Sequence, residues 1–414
     1  MAQQDNITGG ESPRRTPIFE GDRTLWIIYA ALVVISILVV YSSTAKMAYD
    51  ISSKLTTTES LRQQLMLILV VSLPMIFIVH KINYTFYQKA TKIVYWSLVG
   101  LTILTYFIGN ATNGAARWLP IGPFQFQPSE LLKIGTIMML ANCMEARQSS
   151  ITKLKLLPTS FRLGDPVQKR ILKDNTWPIL GPVIVSCAVI APAHISSAVI
   201  VAIASFLMLY IGRAHRRELV KMVLLGTSVA VIGISLLSLA GIGRGSVGLT
   251  RLTRWITELT TDDRRSYVYE LSDTQRSMIA IYNGGLTGEG AGHSSSRAVV
   301  IHPESDYAFA FFASEYGAIA AIVLMLLYLW ITFRAIEICR QCYSAYPMLL
   351  AAGLGLLITT QAMLHILVQV NLLPETGQTL PIISRGGSSL MTISIAIGMI
   401  LSISRAPFIP TPKK

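Results

Sequence analysis

Glu130 and Lys133 stand three residues apart in an otherwise apolar run, within Pro128-Ser-Glu-Leu-Leu-Lys133. That spacing puts a carboxylate and an ammonium on one helix face. Ionisable groups at membrane depth are costly, and they mark a functional site by default. The alternative is an ion pair that packs the helices of a bundle. Ser129 belongs to the same turn, and Arg117 and Trp118 lie just upstream. A guanidinium there suits a phosphate, and an indole suits the membrane interface. Pro128 fits the first turn of a helix, which puts the pair near the outer end of its span.

A second constellation is Leu373-Pro-Glu-Thr-Gly-Gln-Thr-Leu-Pro381, followed by Ser384-Arg-Gly-Gly-Ser-Ser389. Its prolines and glycines break regular structure. Thr376, Gly377, Pro381, Ser384, Gly386 and Ser388 fall within it, and such segments offer hydroxyl and backbone donors to an anion. Irregular backbone at membrane depth lines a cavity or is buried in protein, so the segment is expected to line a cavity rather than form a plain surface turn.

The third is the 65-residue segment 241–305, with seven Arg, no Lys, and the acids Glu258, Asp262, Asp263, Glu270, Asp273, Glu289 and Glu304. Arg binds phosphate bidentately where Lys acts as a point charge, and a loop of this length is usually functional. Ser272–Tyr282 reads as a short amphipathic helix with Met278, Ile279 and Tyr282 on one face, suited to a bilayer surface. The glycine-rich run Gly285–Gly292 has no strand before it and no G-K-[ST] after it, so it is not a nucleotide loop. A flexible turn that covers a ligand is expected. His302, Glu304 and Asp306, spaced two apart, suit a divalent ion if extended, but a helix N-terminal cluster is the preferred reading. His80, His194, His215 and His365 read as structural, as do Cys143 and Cys187; Cys339 and Cys342 form a lone C-x-x-C without the second pair that a structural zinc site needs.

Something must position these groups, and composition says what. Of 414 residues, 52% are hydrophobic and 14% charged, with mean hydropathy +0.53. Soluble domains carry about 25% charged residues, so an ordinary cytosolic globule, a disordered chain and a disulfide scaffold are excluded. Apolar segments at 24–43, 63–80, 93–109, 128–144, 177–191, 195–212, 220–240, 306–333, 347–372 and 386–404 predict an all-α integral membrane protein of about ten transmembrane helices. Residues 1–22 and 407–414 are expected to be polar cytoplasmic tails flanking a membrane domain over 23–406. The net charge of +13 points to basic cytoplasmic loops rather than to nucleic acid. With both termini inside, cytoplasmic segments hold 22 Lys and Arg against five outside once the long loop is set apart. Segment 241–305 then faces outward.

Taken together, the motifs resemble the SEDS family (shape, elongation, division and sporulation), the peptidoglycan glycosyltransferases of the FtsW/RodA type. The resemblance rests on Arg117-Trp-Leu119, Phe126-Gln-Pro-Ser-Glu-Leu-Leu-Lys133, Gln275-Arg-Ser-Met-Ile-Ala-Ile281 and Asn283–Ser294. It continues through Pro303-Glu-Ser-Asp-Tyr-Ala-Phe-Ala310, Glu315-Tyr-Gly317, Asn371–Gly377, Leu380-Pro381 and Ser384–Ser389, in order along residues 24–405. Gln275 and Asp306 enter as site residues through it. There are departures. Pro192-Ala-His-Ile-Ser-Ser-Ala198 lacks the carboxylate of the family's P-D-x-G-T-A-like motif, and Arg385 stands where most members have Tyr. The family's essential Asp precedes the match to Gln275 by about ten residues, which lands on Arg265; the nearest acids make Asp263 the first choice and Asp262 the second.

The resemblance implies transfer of the glycan of lipid II to the 4-hydroxyl of an acceptor GlcNAc, with an Asp as general base and undecaprenyl pyrophosphate as leaving group. It implies a divalent cation, Mg or Mn, as an optional aid. It also implies a class B penicillin-binding transpeptidase and other divisome proteins as partners, and a place in the bacterial inner membrane. Arg117 and Lys133 would hold the pyrophosphate region, or Lys133 would pair with Glu130 to keep the cavity in shape. The elongation-type polymerase is the near alternative to the division type. A lipid II flippase is the alternative of another class, disfavoured because the informative polar residues gather on the outer side.

Overall fold

The structure, a computed structural model, describes residues 19–44, 57–112, 115–121, 124–151, 172–239, 245–260 and 271–405. Asp262 and Asp263 lie outside the described residues, as do the tails 1–18 and 406–414. Over their described residues, all ten apolar segments lie mainly on helix. Among the described residues, six helical spans are long and apolar enough to cross a bilayer: Arg23–Ser43, Leu61–Lys81, Tyr84–Ile108, Ala308–Arg340, Ala345–Gln369 and Gly387–Ser404. The chain is a multi-pass membrane protein.

Helix α1 (Arg23–Ser43) starts where the Asp22 carboxylate accepts from Leu25 N at 2.9 Å. Helix α2 (Thr57–Met66) passes through a π-helical turn, Leu67–Ser72, into α3 (Leu73–Lys81). Pro74, which has no N–H to give, sits just past that wide turn. Helix α4 (Tyr84–Ile108) is capped by Asn83 and leads into strands β1 (Asn110–Thr112), β2 (Ala115–Ile121) and β3 (Phe124–Phe126). They form a small antiparallel sheet in the order β1-β2-β3, with Asn110 opposite Trp118 and Leu119 opposite Phe126. The all-α expectation did not include it.

Then follow α5 (Pro128–Glu145), α6 (Trp177–Ile190), α7 (Ile195–Ile211), α8 (Arg216–Leu239), α9 (Gly245–Thr260), α10 (Asp273–Gly284), α11 (Ala308–Arg340), α12 (Ala345–Gln369) and α13 (Gly387–Ser404). The core lies around α12 and α13, whose apolar windows are 72% and 83% buried, against 28% for α4 and α11. The connections α4–α5, α10–α11 and α12–α13 gather at one end, called here the loop end; the opposite end carries residues 19–22 and is called the tail end.

Helix α11 is broken at Gly317, which has φ +79° and ψ 174°. Backbone groups freed by a break need new partners, above all in lipid. The glycine-rich run supplies them. Glu289 N donates to Ser314 O and Gly290 N to Glu315 O, each at 3.0 Å; Ala318 N donates to Gly285 O at 2.9 Å and Ile319 N to Leu286 O at 3.3 Å. The Glu315 side chain is buried, accepts from Gly292 N at 3.0 Å, pairs with Arg297 at 3.1 Å, and also accepts from Ser42 of α1. The run expected to be a flexible cover is a fixed clasp.

At the tail end, Asp22 N donates to Ser404 Oγ at 2.9 Å and Glu20 pairs with Arg405 at 2.6 Å. Arg334 of α11 pairs with Asp22 and Glu337. Gly21, at φ +95°, passes so close to α13 that a Cβ would lie 2.7 Å from Ser404 Oγ.

Candidate active site

The buried ion pair comes first. Pro128 opens α5, and the next turns place Glu130 and Lys133 on the face toward α12 and α13. Both are buried, with Lys133 Nζ 2.8 Å from Glu130 Oε2. The same ammonium donates to Gln361 Oε1 at 2.8 Å, and Gln361 Nε2 donates to Thr379 O at 3.1 Å. Thr379 Oγ1 donates to Ser389 Oγ at 3.0 Å. The pair is thereby wired to the connection between α12 and α13.

That connection is irregular and largely buried. Gln378, Leu380, Pro381 and Ser384 are buried, and Gly377 and Ile382 take positive φ, +62° and +69°. Ser384 Oγ accepts from Leu380 N at 2.8 Å and donates to Ser305 O at 2.6 Å. Pro381 O accepts from the Tyr328 hydroxyl at 2.6 Å. Gly386 caps α13, and Ser388 Oγ accepts from Gln127 N at 3.0 Å, which joins the start of α13 to that of α5. Gln127 Nε2 in turn donates to Ser129 Oγ at 3.0 Å.

Beside this connection lies a small cavity of about 50 Å³, lined by acids, bases and backbone: Asp273, Asp306, Glu375, Arg251, His302 and His365, with Tyr307 and the Thr376–Gln378 stretch. Glu375 organises one wall. It accepts from Thr274 Oγ1 at 3.0 Å and from Tyr307 Oη at 3.3 Å, and lies 3.8 Å from Arg251 Nε. Burial first, and then the charge of Glu375, push the Asp273 carboxyl above its ordinary range. Asp306 lies on the wall, and its carbonyl accepts from Gln369 Nε2 at 3.2 Å.

A row of polar groups on α12 underlies the cavity. Gln361, His365 and Gln369 recur every four residues on one face and are all buried. His365 Nδ1 donates to Gln378 O at 2.7 Å, while its Nε2 faces the Gln369 amide. Sequence reading took His365 as core and passed over Gln361, Gln369, Arg251, Tyr307 and Gln378. The four-residue spacing of polar groups in an apolar helix was the signal that could have found the α12 row.

The other predicted residues are distributed as follows. Arg117 and Trp118 are on β2, with Trp118 half-buried. Gln275 does not reach the cavity wall; its amide accepts from Ser272 N at 3.0 Å while Ser272 Oγ accepts from Gln275 N, a capping box that starts α10. Residues 301–307 form bends and turns, and His302 has φ +50°, so His302, Glu304 and Asp306 are the helix-start cluster rather than an extended metal ladder. Among the described residues no three His, Cys, Asp or Glu side chains converge on a metal position, so the cation implied by resemblance finds no ligand set there.

Residues 22–407 match the family model FTSW_RODA_SPOVE, described as "Cell cycle protein". The chain belongs to the FtsW/RodA/SpoVE family. It is 26% identical over 388 residues to stage V sporulation protein E of Bacillus subtilis, covering 93% of this chain and 97% of that one. It is 31% identical over 323 residues to the probable peptidoglycan glycosyltransferase FtsW of Coxiella burnetii, covering 75% and 77%. Among solved structures it resembles a chain from a peptidoglycan synthase complex, with TM-score 0.64, 20% identity, and coverage of 93% and 98%. It also resembles the rod shape determining protein RodA of Thermus thermophilus, with TM-score 0.58, 20% identity, and coverage of 93% and 97%. Those two likenesses concern the fold.

Two departures from the FtsW/RodA/SpoVE pattern have visible consequences. His194, in the run that lacks the motif's carboxylate, is the N-cap of α7; its Nδ1 accepts from Ser197 N at 3.3 Å and from Gln378 Nε2 at 2.8 Å. It thus caps α7 and also grips the cavity loop. His194→Ala is expected to lower stability by about 1–2 kcal/mol, from the lost cap and the lost bond to Gln378 Nε2, which keeps its bond to Ser197 Oγ. His194→Asn, which can cap, should recover part of that, as read by thermal melting in detergent. Arg385, in place of Tyr, reaches Gln63 on α2, and its backbone N donates to Glu304 O at 2.8 Å.

Proposed function

We propose that this chain is a membrane-embedded peptidoglycan glycosyltransferase that polymerises glycan strands from lipid II. The observation that carries the reading is the polar cavity at the loop end of an apolar bundle, wired through Gln361 and Thr379 to a buried Glu130–Lys133 pair. It occurs in a chain whose relatives include proteins named as probable peptidoglycan glycosyltransferases.

The substrate has an apolar tail, a diphosphate and a sugar head. The bundle suits the first, the membrane interface the second, and the loop end the third. In the reaction the acceptor 4-hydroxyl oxygen bonds to the donor's anomeric carbon, and the bond from that carbon to the diphosphate oxygen breaks. The bonding pair leaves with undecaprenyl pyrophosphate. One carboxylate suffices to take the hydroxyl proton, and Asp263, or failing that Asp262, is assigned this role. The departing diphosphate needs charge stabilisation more than a proton; Arg117 and the cavity-wall Arg251 are the cations assigned to it. Lys133, sealed between Glu130 and Gln361, holds the cavity floor. Ser129, Thr376, Gly377, Pro381, Ser384, Gly386 and Ser388 shape that floor, and Asp306 and Gln275 fix the segments on either side.

In this reading the loop end is extracytoplasmic, both termini are cytoplasmic, and the protein sits in the inner membrane. It works in division beside a class B penicillin-binding transpeptidase and other divisome proteins. The test is polymerisation of purified lipid II by the chain with its candidate partner and a divalent cation. Wild type is expected to make strands, Asp263→Ala none, and Asp262→Ala strands at a reduced rate. Retention by both variants would remove the base assignment. Absence of strands under every condition, with lipid II still crossing vesicle membranes, would make the protein a transporter.

A further inference from the structure

Helix α10 is amphipathic in the reverse of the usual sense. Its buried face is small and polar: Thr274, Ser277, Ala280 and Gly284. Ser277 Oγ donates to Gln369 O at 2.8 Å, and Gly284 approaches α11 so closely that a Cβ would lie 2.2 Å from Ala313 O. The opposite face is apolar and open. Met278 is 44% exposed, Ile279 38%, Tyr282 86%, and Leu286 just beyond the helix 71%. A surface helix in water turns its apolar stripe inward. This one is pinned by hydrogen bonds and a glycine contact with that stripe outward.

The height of the stripe follows from α11. Its tail end is fixed by Arg334, paired with Asp22 and Glu337, a cluster that belongs at a membrane surface. From Arg334 back to the break at Gly317 the helix climbs seventeen residues, about 26 Å at 1.5 Å per residue. A hydrocarbon core is about 30 Å thick. It therefore takes in Ile319, whose N bonds Leu286 O, and reaches past Gly317 to the level where Gly284 touches Ala313. The exposed side chains Ile319, Ile322 and Val323 of α11 lie below the stripe.

We propose that the apolar face of α10, with Leu286, is seated in the lipid leaflet at the loop end, as a built-in interfacial anchor. Met278 and Ile279 enter the acyl boundary, and the Tyr282 ring lies at headgroup level, where aromatic residues with a polar tip gather. Asp273, the first residue of α10, lines the cavity, so the anchor sets the cavity mouth at the depth of lipid headgroups. The lipid contact stands independently of the chemistry proposed above.

The experiment places a nitroxide at Met278→Cys and at Tyr282→Cys in the full chain, with the four native cysteines replaced by serine. The protein is held in nanodiscs of phosphatidylcholine and phosphatidylglycerol. Ile322→Cys is the lipid reference and the exposed loop position His293→Cys the aqueous one. Both α10 sites are expected to collide with oxygen severalfold more than with an aqueous nickel chelate, as Ile322→Cys does. Nickel accessibility like that of His293→Cys would overturn the proposal. So would shielding from both reagents, which would mean a protein surface covers the face. Should the cysteine-free chain misfold, Tyr282→Trp in the native background gives the same answer. Its added emission must be quenched by brominated acyl chains, and quenching only by aqueous acrylamide would reject the anchor.

Discussion

Lys133→Met is expected to cost about 3–5 kcal/mol, because it leaves the Glu130 carboxylate buried without a counter-charge. Lys133 is 1% exposed and Glu130 6%, so water cannot replace the lost partner. The measurement is the fraction of monodisperse protein that survives a temperature ramp in detergent. Glu130→Gln combined with Lys133→Met removes both charges together. Its cost should be well below the sum of the single changes, a coupling of about 2–3 kcal/mol. The same double variant separates two roles for Lys133. If the ammonium only holds the floor in shape, the stable double variant keeps measurable lipid II polymerisation. If it grips the diphosphate, that variant folds and is inactive.

Gly288→Ala is expected to be at least as damaging. Gly288 has φ +85°, and a Cβ there would lie 2.2 Å from Glu315 O and 2.5 Å from Glu315 C. These are backbone atoms at the break in α11, and they cannot swing away. Strain and overlap together should cost about 4 kcal/mol or more, in the range reserved for a specific structural failure. Gly285 is the control. Its φ is +52°, but nothing lies within 4 Å of the added carbon. Gly285→Ala should therefore cost only the conformational strain, about 1–3 kcal/mol. Melting curves of the two variants side by side decide the matter. A mobile cover over a ligand would tolerate both changes about equally, whereas a clasp on α11 distinguishes them sharply.

Hydropathy made the helices legible because a bilayer imposes one rule on every span, a long run of apolar residues. Caps at Asp22, Asn83 and Ser272 were readable by residue type. The Glu130–Lys133 contact followed from i, i+3 spacing, and the structure adds Gln361, which comes from another helix. The small sheet was missed although Asn113-Gly114, a hairpin signal, stands in the sequence between β1 and β2. The break at Gly317 was not legible. A glycine inside an apolar run reads as helix, and only the partners offered by residues 285–290 make a break affordable in lipid. The cavity wall was harder still. Arg251 and Glu375 are 124 residues apart, and nothing local announces that they meet. The residues with the strongest chemical expectation, Asp262 and Asp263, rest on resemblance and await the lipid II assay.

The contacts of residues 20–22 bear on how the bundle carries load. Asp22 N meets Ser404 across 382 positions of sequence, and Arg334 joins them from α11. The described chain thus bites its own tail. A pull on either end, from a tether or a neighbouring assembly, is shared at once by α1, α11 and α13 rather than peeling one helix from the edge. Mechanically the described bundle is closed into a ring at the tail end, and α11 links that closure to the break at Gly317.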